Sequence, residues 1–198
     1  MIKYLLSSLF ILLSCSSNEF RNPYNAPFDG TRFKNLEPFS SKSFFSLLKW
    51  KLFKSDKKQW PEWIDLPLGK KPKERTSLGE VIYTVVNHAT VLLQVDGVNI
   101  LTDPIWSERT SPISFIGPKR VHRPTIRFED LPPIDIVVVS HNHYDHLDIP
   151  TLKKLSNKYS PKILVGLKNG DLLKKEGIEN FIEMDWYQTI QFKNLKIT

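Results

Sequence analysis

The segment Ser140-His141-Asn142-His143-Tyr144-Asp145-His146-Leu147-Asp148 places three of the chain's five histidines within six residues, with a carboxylate among them. Alternate positions of an extended segment point to one side, so His141 and His143 can grip one ion. Asp145 and His146 follow where a helix begins, and can reach a second. Imidazole nitrogen and carboxylate oxygen suit zinc at about 2.0 to 2.2 Å, and paired ions about 3.5 to 4 Å apart can act on one water. Metal lowers the pKa of such a water to about 7, so the chemistry is hydrolysis at neutral pH. Asp145 and His146 are the candidate catalytic pair, and His141, His143, Asp145 and His146 the candidate metal ligands. The competing reading is a surface cluster that binds metal adventitiously. The only cysteine, Cys15, excludes an intrachain disulfide and every cysteine-based zinc motif.

Three further groups can serve the same site. His88, in Asn87-His88-Ala89-Thr90, is either a group turned toward the metal pocket or a hydrogen-bonded core histidine. Asp103, before Pro104, can accept a hydrogen bond from a metal-bound histidine, as outer carboxylates do in metal sites, or can cap a turn. Lys119, Arg120, His122 and Arg123 make a basic loop that can meet a phosphate group or be merely solvated.

These residues need a scaffold, and the patterning supplies one. Val81 to Val86 and Val91 to Val95 are rich in β-branched residues, and Asp96-Gly97 before Val98 to Leu101 predicts a hairpin with a tight two-residue turn. Thr110 to Pro133 reads as a long surface loop. Ile134 to Val139 is a nearly continuous apolar run, the pattern of a strand buried on both faces. Asp148 to Ser156 predicts a helix capped by Asp148, with Pro150 tolerated in its first turn. Lys162 to Val165, Asn169 to Glu176 and Phe181 to Met184 continue as strand, helix and strand. Gln188 to Thr198 ends in a hairpin turning at Lys193-Asn194. Strands followed by a βαβαβ run predict an α/β layered sandwich, with the histidine cluster at the strand-to-helix junction where open α/β sheets place their sites.

Ahead of residue 78 the pattern differs. Met1 to Ser14 carries Lys3 and then an apolar stretch to Leu13, too short to span a bilayer core of about 30 Å and readable as a secretory signal. Leu12-Leu13-Ser14-Cys15 resembles a bacterial lipobox. The expectation is export and anchorage at a bacterial cell envelope as a lipoprotein, with a plain signal peptide or a retained helix as alternatives. Residues 16–77 read as an N-terminal arm. It contains a short basic amphipathic helix at Ser43 to Ser55, which can lie on an anionic membrane surface or dock on the main domain. The domain proper is expected over 78–198. A net charge of +7 favours anionic partners, while the lack of any run of five like charges gives nucleic acid no support.

The pattern His141-x-His143-x-Asp145-His146 after a buried strand resembles the signature of the metallo-β-lactamase fold hydrolases. FDGTRFKN, NHATVLLQVDG, ILTDPIW, SPISFIGPKR and LPPIDIVVVSHNHYDHLD, in that order from Phe28, resemble the branch of phospholipases D that hydrolyse N-acylphosphatidylethanolamine. The resemblance implies an αββα sandwich and two zinc ions, the first on His141 and His143 and the second on Asp145 and His146. It also implies hydrolysis of a small-molecule or lipid phosphodiester. Asn87 stands where that family usually has glycine. The family's third histidine, bridging aspartate and final histidine find no match: no histidine follows His146, and Asp185 lies in a different context, EMDW. The chain is therefore expected to hold approximately the N-terminal half of the sandwich, as a fragment of a longer gene or completed by a second chain. Two other functions stay open: an inactive remnant acting in membrane or protein contact, and a lactonase or other ester hydrolase on the same fold.

Overall fold

The computed structural model describes residues 27–35, 37, 43–53, 60–113 and 115–198. The expected signal segment, Cys15 and much of the expected arm lie outside the described residues. The chain divides into two units, Met1–Ser43 and Phe44–Thr198. In the first, the described residues double back: Phe28 bridges Phe33 across a turn at Gly30, whose φ is +95°. The Asp29 carboxylate holds that turn, accepting from Thr31 N, Thr31 Oγ1 and Arg32 N.

The second unit opens with helix α1, Phe44–Phe53. The expected amphipathic character is not found. At 3.6 residues per turn, Phe44, Leu48 and Leu52 share one stripe, but Trp50 and Phe53 fall on the far side beside Ser46 and Lys49. All the apolar side chains described on this helix are exposed. Among the described residues no helix is long and apolar enough to cross a membrane.

The core is a six-stranded sheet in the order β1 (Val81–Asn87), β2 (Thr90–Val95), β3 (Val98–Thr102), β4 (Ile136–Val138), β5 (Lys162–Gly166), β6 (Phe181–Met184). The first three strands are antiparallel neighbours, and β3 to β6 are parallel. The Asp96-Gly97 turn has positive φ at both residues, 49° and 75°, the geometry that matches strand twist in two-residue hairpins. Helices α2 (Ile149–Tyr159) and α3 (Gly170–Lys175) connect the parallel strands. The short strands β7 (Ile190–Phe192) and β8 (Leu195–Ile197) form a separate hairpin.

Strand β4 shows how the layers are divided. Val137 packs with Leu152, Leu155 and Leu173 of the helices, while Ile136 belongs to a second cluster with Ile100 and Leu164, against which Ile190, Phe192, Leu195 and Ile197 rest. Both residues are fully buried, which accounts for the unbroken apolar run. The expected α/β class is the one found: helices on one face, a β hairpin on the other.

Residues 60–77, Pro- and Lys-rich, are fastened to this unit by backbone. Ile64 N donates to Val121 O and Gly69 N to Thr125 O. The fully buried amides of Gln94 and Asn99 donate to Lys73 O and Glu74 O, and Arg75 pairs with Asp135.

Asp148 caps α2 and does more besides. Its buried carboxylate accepts from Thr151 Oγ1 at 2.6 Å, Ser107 Oγ at 2.7 Å, Ser107 N at 2.9 Å and Trp106 N at 3.2 Å. The loop after β3 is thereby clamped to the start of α2. Asp148→Ala removes the cap and strands the partly buried amide of Ser107. A loss of roughly 2 to 4 kcal/mol is expected, read as a lower urea midpoint; a change under about 0.5 kcal/mol would refute the clamp.

Candidate metal centre

Three chain segments meet at one end of the sheet: the β1–β2 turn at residues 88–89, the loop that begins at Asp103 after β3, and the loop from Ser140 after β4. Strand order explains the meeting, because β2 and β3 are adjacent and β3 and β4 run parallel, so their C-terminal ends lie side by side. Thr90, fully buried, locks two of the segments together. Its hydroxyl donates to Asp103 O at 2.6 Å and accepts from Ile105 N at 3.2 Å. Asn87, where glycine is usual, has φ in the ordinary range. It is His88 that takes the left-handed conformation, at φ 35°, while the Asn87 amide donates to Ile105 O at 3.0 Å.

Asp103 is the hub. It is buried and also in left-handed backbone, at φ 36°, a conformation that Asp tolerates better than most residues. One oxygen, Oδ1, accepts from Ser140 N at 2.7 Å; the other, Oδ2, accepts from Ser140 Oγ at 2.8 Å and His146 Nδ1 at 2.9 Å.

Hydrogen-bond polarity then fixes which nitrogens carry protons. The short contact to a carboxylate makes His146 Nδ1 a donor, so the lone pair of the neutral ring sits on Nε2. The Ser140 hydroxyl spends its proton on Asp103, so it accepts from His141 Nδ1, 2.9 Å away. In the neutral ring His141 Nε2 is then an acceptor, and His143 Nδ1, 3.0 Å from it, donates. One buried carboxylate thus sets three imidazole tautomers.

The lone pair at His146 Nε2 has company. Asp145 Oδ2 lies 3.8 Å from it and 3.3 Å from His88 Nε2, and the three donor atoms fall within 4.8 Å of one another. Two imidazoles and one carboxylate with room for a fourth ligand is the donor set of catalytic zinc sites. A histidine donating its other ring nitrogen to a carboxylate is the usual outer arrangement. The residues present therefore fit a metal ion.

The predicted site residues are distributed unevenly over this arrangement. Asp145 and His146 come together, and His88, expected from sequence outside the ligand set, stands with them as a third donor. His141 and His143 are adjacent but hydrogen-bonded to each other, and the His141 and His146 rings lie tilted at 41° with centroids 4.0 Å apart. Asp103 holds His146 from behind. Burial pushes the Asp145 carboxyl up, but the hydrogen bond from its own amide and the neighbouring His146 and His88 outweigh it and hold the group below the ordinary carboxylate range.

A cleft of about 640 Å³ opens beside the trio, lined by His88 and Asp145 and also by Lys119, Arg120, His122 and Trp60. Arg120 is committed to the scaffold: Nη2 donates to Ser107 O at 2.6 Å and to Ile105 O at 3.3 Å.

Residues 98–198 match the model of the β-lactamase superfamily domain. An uncharacterized protein of Mycobacterium tuberculosis is 35% identical over 171 residues, covering 83% of this chain and 46% of its own length. N-acyl-phosphatidylethanolamine-hydrolyzing phospholipase D 1 of Caenorhabditis elegans is 42% identical over 118 residues, 55% of this chain and 32% of the relative. The mitochondrial enzyme of the same name in Saccharomyces cerevisiae is 36% identical over 123 residues, 62% of this chain and 24% of the relative. The chain spans about half or less of the length of these curated relatives.

Asp103→Asn tests the hub. Asparagine tolerates the left-handed backbone, so the fold should persist by circular dichroism. An amide offers one acceptor oxygen where two are needed, so Ser140 or His146 loses its partner. Zinc affinity, measured by chelator competition, should fall about 10- to 100-fold; unchanged affinity would show that Asp103 does not hold the ligand.

Proposed function

The chain belongs to the β-lactamase superfamily, and from that premise we propose that it is a zinc-dependent hydrolase, or the metal-binding half of one, acting on phosphodiester bonds of phospholipid-type substrates. The observation that carries this reading is the trio of His88, Asp145 and His146, with His146 pinned by Asp103. His88 Nε2, Asp145 Oδ2 and His146 Nε2 would hold one ion. His141 and His143 would hold the other once the hydrogen bond between them opens. Bound zinc would supply Lewis acidity toward a phosphoryl oxygen and acidify a water at neutral pH.

The protein's own groups would do the rest. Asp145, ionised, can accept a proton from the attacking water. His146 keeps Nε2 free because Asp103 occupies Nδ1. The walls of the adjoining cleft orient the substrate. Two relatives are named for hydrolysis of N-acylphosphatidylethanolamine, which supports a phospholipid phosphodiester over a lactone. The leader at Met1 to Ser14, with Cys15 at its end, supports export and lipid anchorage at a cell envelope, which would bring the site to such a substrate.

The zinc-loaded chain, incubated with vesicles containing N-acylphosphatidylethanolamine, should release phosphatidic acid detectable by mass spectrometry. Asp145→Ala should reduce the yield at least 100-fold. Release of free fatty acid would favour ester hydrolysis, and retained zinc without any product would favour the contact-only remnant.

A further inference from the structure

The cleft beside the trio has a second, cationic side that the metal chemistry leaves unused. Residues 108–110 and 118–120 pair as a short antiparallel ribbon: Thr110 N donates to Pro118 O at 3.1 Å, and Arg120 N to Glu108 O at 2.9 Å. Arg120 binds the ribbon to the loop after β3, and Ile64 N, donating to Val121 O, braces it from the other direction. Lys119 and His122 are therefore carried on a rigid edge, not on a free loop, and both line the cleft that His88 and Asp145 also line.

Their bonding states differ in an informative way. Lys119 pairs with Glu108 at 2.8 Å, with both side chains more than half exposed; such pairs contribute little and exchange partners readily. His122 Nδ1 lies 2.9 Å from Arg123 O. A carbonyl can only accept, so Nδ1 carries the proton and Nε2 is the ring's open position. Among the described residues Nε2 has no hydrogen-bond partner. Protonated, that nitrogen becomes a donor directed by a ring whose other end is tied down. Pairing it with an anion oxygen makes a charge-assisted bond, stronger than a neutral one.

Resting on the hydrolase reading above, we propose that Lys119 and His122 form an oxyanion subsite of this cleft, which takes a phosphodiester oxygen in the same cleft as the His88–Asp145–His146 trio, His122 binding it as an imidazolium through Nε2. The charged groups around it are Lys119, Arg120 and Glu108 of the ribbon, with His88 and Asp145 across the shared cleft. Binding takes up one proton, supplied by solvent, and breaks no covalent bond. Apolar neighbours Ile105, Pro118 and Val121 suit the second organic arm of a diester, which a phosphate monoester lacks.

The test uses the full chain with ¹⁵N-labelled histidine, kept free of metal by chelator, and dimethyl phosphate as the probe. Five histidines give five ring systems to follow. The expected result is saturable movement of the His122 Nε2 resonance toward the protonated range. His122→Gln and Lys119→Met should each weaken the apparent Kd at least fivefold, whereas Lys153→Met, at a lysine paired with Glu176 and outside the cleft lining, should leave it unchanged. Movement confined to His141, His143 or His146, or no saturable change at His122, would overturn the proposal, and the wild-type spectra alone decide this if a variant fails to fold. Because metal is excluded, a chain that binds dimethyl phosphate yet never retains zinc would sink the hydrolase reading while leaving the subsite standing.

Discussion

The carboxylate of Asp103 is the constraint on which the site depends. A buried charge is costly unless hydrogen bonds satisfy it, and Asp103 accepts three, from Ser140 N, Ser140 Oγ and His146 Nδ1. Those bonds order the loop that carries all three clustered histidines. They also assign the ring protons: Nδ1 of His146 directly, Nδ1 of His141 through Ser140, and Nδ1 of His143 through His141. Metal ligation requires a lone pair in the right place, so protonation pattern and backbone geometry are settled by one group. The left-handed backbone at Asp103 and His88 is sustained by the same network, with Thr90 bonded to Asp103 O and to Ile105 N.

A second carboxylate, Asp148, performs the matching task on the other side of the loop after β3. It joins Trp106 and Ser107 to the first turn of α2. The strand β3 therefore ends between two anionic anchors, one reaching β4's loop and one reaching the helix that follows it. Preorganisation of this kind is how metal centres hold ligands before the ion arrives. It also explains why the cleft's basic ribbon is rigid, since Arg120 bonds the very carbonyls, Ser107 O and Ile105 O, that these anchors steady.

Much of this was legible in the residues. The apolar run Ile134 to Val139, the Asp-Gly turn and the Asp148 cap each follow from local rules that tertiary packing did not override, and the observed elements lie within a few residues of those expected. The His-x-His-x-Asp-His spacing pointed to the segment between β4 and α2, a strand-to-helix junction, as the candidate site. The partnership of His88 with Asp145 and His146 was not legible, because it depends on the β1–β2 turn folding over the end of β3, a contact between residues 57 positions apart in sequence. Nor was the mutual hydrogen bond of His141 and His143: alternation puts both rings on one side, but which nitrogen faces which follows from Ser140 and Asp103. Composition misled in two places. The Pro- and Lys-rich stretch before β1 reads as part of an arm ahead of a domain that begins at residue 78, yet its carbonyls satisfy the buried amides of Gln94 and Asn99. Helix α1 reads as amphipathic, yet Trp50 and Phe53 fall opposite its apolar stripe.

The place where a metal ion binds decides whether His88, Asp145 and His146 form a ligand set. A crystal of the chain grown with one equivalent of zinc, with data collected on either side of the zinc absorption edge, gives the answer directly. The expected result is an anomalous peak bonded to His88 Nε2, Asp145 Oδ2 and His146 Nε2, with Asp103 still holding His146 Nδ1. A peak held by His141 and His143 while the trio stays empty, or none at either place, would contradict it.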